Sequence, residues 1–229
     1  MIYYSLNKKI LDTDKYSKFD HGGNSTIYKN IGSDILFKVY KFDINYRYHM
    51  RKKNFEMLKE KNIPNLVKLM DYYFQFDQKI NSILPMDAYT MKMVKGKKID
   101  LIDMDRNYMK NILEQLEETL KCLSNEKILI GDAHKDNIIF NENGVTLIDL
   151  DQFIKMGLYS KKGIYDANKS SLMHIITMKI LMEFRKKNPN LSLPFFWSKE
   201  DTSLYDDCEF LLEEENVEDS VKKYSYKRN

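Results

Sequence analysis

Residues 130–153, IGDAHKDNIIFNENGVTLIDLDQF, hold the pattern that decides the fold and the chemistry of this chain. Asp132 is followed by Asn137, and a strand-turn-strand segment then ends on Asp149. The Asn143-Gly144 pair is typical of a tight hairpin turn, here between the apolar runs IIF and VTLI. Amide and carboxylate oxygens suit a hard cation such as Mg²⁺, and a further carboxylate can meet a hydroxyl nucleophile. The stretch therefore predicts a phosphate-and-magnesium site.

Composition excludes several other classes of protein. The chain has 229 residues, a hydrophobic share typical of globular domains (43%) and a nearly balanced charge of +3, unlike a dedicated nucleic-acid binder. Its two cysteines, Cys122 and Cys208, lie far apart and fit neither a disulfide framework nor a zinc site. No leader and no run long enough to cross a bilayer is evident. We expect a cytoplasmic protein with no nucleic-acid and no membrane partner.

The order of predicted elements indicates an α+β fold. Strands dominate the first third, around one helix at 46–61, and amphipathic helices at 107–123 and 170–184 dominate the remainder. This order predicts two lobes with a cleft between them. The predicted domains are a β-rich lobe at 1–86, a helical lobe at 87–199 and a charged tail at 200–229.

Several motifs occur in the order and at the spacings of the protein-kinase-like superfamily, over residues 18–185. GDAHKDN resembles its catalytic loop, and IDLD resembles the metal-binding block of its aminoglycoside and choline kinase branch. GGNSTIYK is similar to a degenerate glycine-rich loop, and LFKVY to the strand that bears a phosphate-contacting lysine. NFEMLKEKNIPNLVKLMDYYF is similar to the helix and strand that follow. The resemblance implies a two-lobed kinase-like fold with a small antiparallel sheet in the first lobe, and it implies ATP and Mg²⁺ as cofactors.

The resemblance also implies a role for each matched residue. Asp132 would orient the acceptor hydroxyl and take its proton, while Asn137 and Asp149 would bind Mg²⁺. Lys38 would contact the α and β phosphates, and Glu56 would hold Lys38 in place. Without the resemblance, Lys38 and Glu56 would be read as an ordinary surface lysine and a solvated helical glutamate.

The remaining nucleotide contacts are predicted by position along the chain. Backbone N–H groups of Gly22, Gly23, Asn24 and Ser25 would cradle phosphates, with a plain hairpin turn as the alternative. Leu84 and Met86 would belong to a hinge at residues 84–87 that offers backbone groups to adenine.

Departures from the family pattern leave several questions open. Ile130 and Gly131 replace the histidine and arginine that precede the catalytic aspartate in regulated protein kinases. His134 either touches the transferred phosphate or is hydrogen-bonded inside its loop. Asp151 either adds a carboxylate to the metal site or caps a turn, and Asn168 stands where the family carries an aspartate.

Three functions are compatible with these residues. We favour a compact Ser/Thr protein kinase, because residues 50–76 look like the corresponding helix and strand of protein kinases. A small-molecule kinase of the aminoglycoside/choline phosphotransferase type is favoured by GDAHKDN and IDLD. The retained candidate site residues argue against a nucleotide-binding pseudokinase, but the loop departures keep this alternative open. The acceptor is therefore either a hydroxyl-bearing protein or a small molecule.

Overall fold

The computed structural model describes residues 2–5, 10–41, 48–77, 82–98, 106–142, 144–149, 153–187 and 203. The chain divides into two compact units, Met1–Asn62 with Leu66–Val94, and Ile63–Asn65 with Lys95–Asn229. The division after Val94 lies beyond the boundary at residue 86 that the sequence suggested. Asp151 and, apart from Ser203, the charged tail at 200–229 lie outside the described residues.

The first unit contains an antiparallel sheet of seven described strands and one helix. Its elements are β1 (Ile2–Ser5), β2 (Ile10–Asp12), β3 (Ser17–His21), β4 (Ser25–Lys29), β5 (Ile35–Tyr40), α1 (Tyr48–Glu60), β6 (Leu69–Asp77) and β7 (Ser82–Lys92). The strand order is β2-β1-β6-β7-β5-β4-β3, and α1 packs against β6 and β7. The interior strand β5, which lies between β7 and β4, is buried from Leu36 to Tyr40, so both of its faces are covered. Its buried positions include the predicted site residue Lys38.

The second unit is built around two helices and short strands. Its elements are β8 (Lys97–Lys98), α2 (Arg106–Asn125), β9 (Ile128–Ile130), β10 (Ile138–Asn141), β11 (Gly144–Leu147), β12 (Phe153–Lys155) and α3 (Lys161–Lys187). Strands β11, β10 and β8 form one small sheet, and β12 pairs with β9. Helix α2 packs on α3 and β11. Its fully buried positions fall at helical spacing: Ile112, Leu113, Leu116, Leu120 and Leu123.

Helix α3 begins earlier than the apolar pattern at 170–184 suggested. The Ser160 Oγ accepts a hydrogen bond from the Gly163 N–H at 3.0 Å, which is a standard way to start a helix. The polar residues that follow Ser160 therefore belong to the helix. The α+β class is confirmed. None of the helices in the described part of the chain is both long and apolar enough to cross a membrane.

Candidate active site

The hairpin formed by β10 and β11 fixes the position of two predicted metal ligands. Its register pairs Ile138 with Leu147 and Asn141 with Gly144. The Ile148 N–H donates to the Asn137 carbonyl oxygen at 2.8 Å, which extends the pairing by one step beyond the strands. Asn137 and Asp149 therefore lie next to each other at the open end of this hairpin.

The loop before the hairpin brings Asp132 to the same end. The Asn137 Nδ2 donates to the Asp132 carbonyl oxygen at 3.2 Å, and the side chain of Asp132 is exposed. Because the Asn137 amide nitrogen is used in this bond, its Oδ1 is the atom suited to a cation. The backbone of Asp149 has φ of +60°, a left-handed conformation that clusters at functional sites. The three residues predicted from the opening motif are thus brought together.

A buried asparagine holds the strand that leads into this loop. Asn168 on α3 is fully buried, its Oδ1 accepts from the Ile130 N–H at 2.8 Å, and its Nδ2 donates to the Ile128 carbonyl at 2.9 Å. An asparagine can serve both bonds because its amide carries a donor and an acceptor. Asn168, which stands where the family carries an aspartate, therefore holds the strand that leads into the loop at residues 131–137.

Helix α2 anchors the other end of the hairpin through residues that sequence reasoning missed. The Gln115 Oε1 accepts from the Val145 N–H at 3.0 Å, and the Tyr108 hydroxyl donates to the Asn141 carbonyl at 2.8 Å. Gly144 has φ of +143°, a backbone conformation that residues with a side chain rarely adopt, and an added Cβ there would meet the side-chain amide of Gln115. Glycine is therefore favoured at this turn. The Asn143-Gly144 signal indicated a tight turn but not its contact with α2.

The side chain of His134 is hydrogen-bonded inside the catalytic loop. Its Nδ1 accepts from the Asp136 N–H at 3.3 Å. Lys98 of β8 forms an ion pair with Asp136 at 2.9 Å, and this hydrogen-bonded ammonium lowers the pKa of the Asp136 carboxyl. The negative charge of Asp136 is therefore paired with Lys98, whereas the carboxylate of Asp132 in the same loop is exposed.

In the first unit, Lys38 is a buried lysine. It pairs in register with Ile27 of β4 and Tyr89 of β7, and only 4% of its surface is exposed. Its Nζ lies 5.4 Å from the centroid of the Tyr40 ring, two residues along the same strand face. The interpretation as an ordinary surface lysine does not hold, because burying an ammonium is costly unless other groups compensate.

The charged side chains of α1 form ion pairs that the sequence did not predict. Glu56, expected to hold Lys38, forms an ion pair with Lys52 at 2.5 Å, and 46% of its side chain is exposed. The buried pair of this helix joins Arg51 to Asp87 of β7 through two bonds, Nε–Oδ2 at 2.9 Å and Nη2–Oδ1 at 2.5 Å. The hydroxyl of Tyr72 also donates to Asp87. The role predicted for Glu56 stays a prediction.

The turn between β3 and β4 contains the predicted glycine loop. The Gly22 N–H donates to the Ser25 carbonyl at 2.9 Å, so it is already used within the turn. The Lys41 Nζ donates to the carbonyls of Gly22 at 3.1 Å and Gly23 at 2.7 Å. Asn24 accepts from the Lys41 N–H at 2.9 Å. The turn is a closed hairpin with a lysine ammonium on its carbonyls, a contact that the sequence did not suggest.

The residues assigned to the hinge lie inside β7. Ile83 pairs with Phe76, Asp87 pairs with Phe74, and Met86 packs against the core cluster of the first unit. The side chain of Leu84 lies outside the described residues. Between the Ile83 and Asp87 pairs the register shifts, so residues 84–86 form an irregularity within β7. The contact of this segment with adenine stays a prediction.

The donor set at the end of the hairpin fits Mg²⁺ bound together with phosphate. Within the described residues, no group of three His, Cys, Asp or Glu side chains is placed to hold a metal ion. Mg²⁺ commonly takes only one or two side-chain oxygens and completes its shell with waters and substrate phosphates. Asn137 and Asp149 offer such a partial set.

Comparison with known proteins places these residues in a family. The model of the WaaY family, described as lipopolysaccharide core biosynthesis protein, matches residues 20–158 and so includes all the site residues predicted from the sequence, although not Asn168. No curated protein gives a significant match. The match supports a kinase-like phosphotransferase, but neither the aminoglycoside/choline branch in particular nor a Ser/Thr protein kinase. Since the matched region is more than half of the chain, this protein belongs to the WaaY family of kinase-like proteins.

Proposed function

We propose that this protein transfers the γ-phosphate of ATP to a hydroxyl group of a sugar in a lipopolysaccharide core. The observation that carries the proposal is the catalytic hairpin, where Asp132, Asn137 and Asp149 meet at one end. The family description supports the acceptor class. The acceptor is thus a form of the small-molecule alternative rather than the protein side chain that the sequence favoured. Because ATP is the donor, we place the reaction in the cytoplasm.

Each residue of the hairpin would contribute by position and charge. The exposed carboxylate of Asp132 would accept the proton of the acceptor hydroxyl, and its backbone is held through Asn137. The Asn137 Oδ1 and the Asp149 carboxylate would hold Mg²⁺. When bound, this ion neutralises phosphate charge. Phosphoryl transfer depends mainly on such alignment and charge neutralisation, which a loop braced by Asn168 can provide.

The first unit would supply phosphate contacts. The ammonium of buried Lys38 is shielded from water, so a phosphate oxygen would form a strong charge-assisted bond with it. Lys41 would add a second positive charge at the glycine turn. Glu56 is retained as a candidate partner of Lys38, although its carboxylate is paired with Lys52.

The acceptor can be tested directly. Purified protein would be incubated with γ-labelled ATP, Mg²⁺ and one of four acceptors: dephosphorylated lipopolysaccharide core oligosaccharide, a generic protein substrate, an aminoglycoside or choline. We expect label on the core oligosaccharide. Transfer only to protein would restore the Ser/Thr kinase interpretation, and magnesium-dependent ATP binding without turnover on any acceptor would point to a pseudokinase.

A matched pair of variants on the hairpin shows whether its open end is the relevant part. Asp149→Ala removes a proposed metal ligand and should abolish transfer. Glu142→Ala removes an exposed carboxylate at the opposite end of the same hairpin and should leave transfer unchanged. Equal activity in the two variants would contradict the assignment of Asp149 as a metal ligand.

A further inference from the structure

The loop at residues 156–160, between β12 and α3, exposes apolar side chains. Leu158 is fully exposed (102%), Tyr159 is 58% exposed, and Ile154 on the preceding strand is 36% exposed. Single apolar residues on a surface are ordinary, but three within six positions in one turn region are not scattered. This 156–160 loop has no part in the chemistry proposed above.

Backbone and side-chain bonds hold this loop in a defined shape. The Tyr159 N–H donates to the Met156 carbonyl at 3.1 Å, and the Met156 N–H donates to the Lys127 carbonyl at 2.8 Å. The Lys127 Nζ donates to the Gly157 carbonyl at 3.0 Å, and Ser160 caps α3. Because the loop is already ordered, little conformational entropy would be lost when its tip enters another phase.

Positive charge surrounds the apolar tip. The loop and the segments that flank or hold it, residues 126–127 and 153–163, carry four lysines and one acidic residue, Glu126. The four lysines are Lys127, Lys155, Lys161 and Lys162. Two of them occupy the first turn of α3, which holds no acidic residue. Cations at a helix N-terminus oppose the helix dipole, so this arrangement gains from a nearby anion.

We propose that the 156–160 loop docks the second unit on an anionic lipid surface, with Leu158 and Tyr159 in the interface and the lysines at the headgroup phosphates. Apolar and aromatic tips with a basic surround are the features of interfacial membrane binding. A peptide groove would not require this charge, so we favour lipid over a protein partner. The attachment is peripheral and independent of which sugar accepts the phosphate, and it replaces the expectation from the sequence that the protein has no membrane partner.

Vesicle sedimentation tests this proposal without ATP or acceptor. Protein would be mixed with vesicles of phosphatidylcholine alone or of equal parts phosphatidylcholine and phosphatidylglycerol. We expect binding to the anionic vesicles that weakens as salt rises. Equal binding to both kinds of vesicle, or binding to neither, would overturn the proposal. Since no transfer is measured, this failure would leave the proposed function untouched.

Two pairs of variants separate the loop from the rest of the surface. Leu158→Asp with Tyr159→Asp should weaken vesicle binding by about tenfold or more, because the apolar tip is lost. Ile31→Asp with Ile10→Asp makes the same change at two exposed apolar residues of the first unit, 88% and 66% exposed, and should have no effect. Lys161→Glu with Lys162→Glu should weaken binding by roughly tenfold or more. Lys18→Glu with Lys53→Glu makes the same change in net charge at exposed positions of the first unit and should cost far less.

The variant Leu158→Asp with Tyr159→Asp also tests two competing explanations for the exposed 156–160 loop. If the loop is instead a contact between copies of the chain, Leu158→Asp with Tyr159→Asp would change the oligomeric state by size-exclusion chromatography and leave vesicle binding intact. If the loop is a catalytic element, this variant would lose transfer to a water-soluble core oligosaccharide. Either result would overturn the proposal. We expect unchanged oligomeric state and unchanged transfer to the soluble acceptor.

Discussion

The hairpin formed by β10 and β11 in the second unit and helix α1 in the first position their predicted site residues in different ways. In the hairpin, strand register and a backbone bond from Ile148 set Asn137 beside Asp149. On α1, Arg51, Lys52 and Glu56 lie within two turns, and each long side chain can reach several partners. The pairing of the strand backbones fixes the positions of residues at the strand ends. On a charged helix, by contrast, the length and flexibility of each side chain decide which partner it contacts.

The largest effect is expected at the exposed carboxylate of the hairpin. Asp132→Asn keeps the size of the side chain and removes the proton acceptor, so kcat should fall by about a hundredfold to ten-thousandfold. Stability should change little, because this side chain is exposed. Transfer to the core oligosaccharide and the melting temperature would be measured together.

Asp136→Asn is the matched control in the same loop. Its carboxylate is paired with Lys98 and is not proposed to meet the acceptor, so kcat should fall by less than about tenfold. If Asp136→Asn lost as much activity as Asp132→Asn, the choice of Asp132 as the proton acceptor would be wrong.

On α1, the largest effect is expected at the buried pair. Arg51→Met would leave Asp87, whose side chain has no exposure, without its bidentate partner. Removing one member of a buried pair typically costs about 3–5 kcal/mol of unfolding free energy. Burial, and then the neighbouring Asp87, raises the pKa of Tyr72 far above its usual value, so Tyr72 remains a protonated donor but cannot replace the lost cation. Urea denaturation would measure the loss.

Lys53→Met provides the comparison on the same helix. Lys53 is exposed, and its loss should change the unfolding free energy by no more than about 0.5 kcal/mol. Equal losses for Arg51→Met and Lys53→Met would mean that the Arg51–Asp87 pair does not fasten α1 to the sheet.

A somewhat smaller loss is expected at the brace of the catalytic loop. Asn168→Ala leaves the Ile130 N–H and the Ile128 carbonyl buried without their partner and should cost about 2–4 kcal/mol. Asn168→Asp keeps the acceptor for Ile130 but sets a buried carboxylate against the Ile128 carbonyl, so it should cost at least as much at neutral pH and less at low pH, where the protonated carboxyl can donate to that carbonyl. If lowering the pH did not improve the stability of Asn168→Asp relative to Asn168→Ala, the bond to Ile128 would contribute nothing measurable.

The sequence predicted the parts of the molecule that local patterns determine. The α+β class, helix α2 and the hairpin around Asn143-Gly144 follow from periodicity and turn chemistry within short windows. In the structure, Asp132, Asn137 and Asp149 lie at one end of the hairpin. Their catalytic roles stay predictions.

Contacts between distant segments were not predictable from the sequence. Gln115 reaches Val145 across 30 positions, and Arg51 reaches Asp87 across 36. In the sequence, Gln115 and Arg51 look like the other polar residues of their helices, and no spacing links them to Val145 and Asp87. Nor did the sequence indicate the register shift between β6 and β7 at residues 84–86, because such an irregularity depends on the strand that pairs with them.

The smallest expected effect concerns Glu56 of α1, which is paired with Lys52 but is predicted to hold Lys38. Its carboxylate is half-exposed and paired with Lys52 in an i,i+4 arrangement, a geometry worth about 0.5 kcal/mol. Glu56→Gln and Lys52→Gln should therefore lower the unfolding free energy by similar small amounts and show coupling of that size in a double-mutant cycle. The transfer activity of the two variants then shows whether Glu56 has a role beyond its pair with Lys52. If Glu56 acts only through Lys52, both variants keep activity. If Glu56→Gln alone loses activity, with unchanged stability, then Glu56 must leave Lys52 during the reaction and meet Lys38, as the motif order predicts.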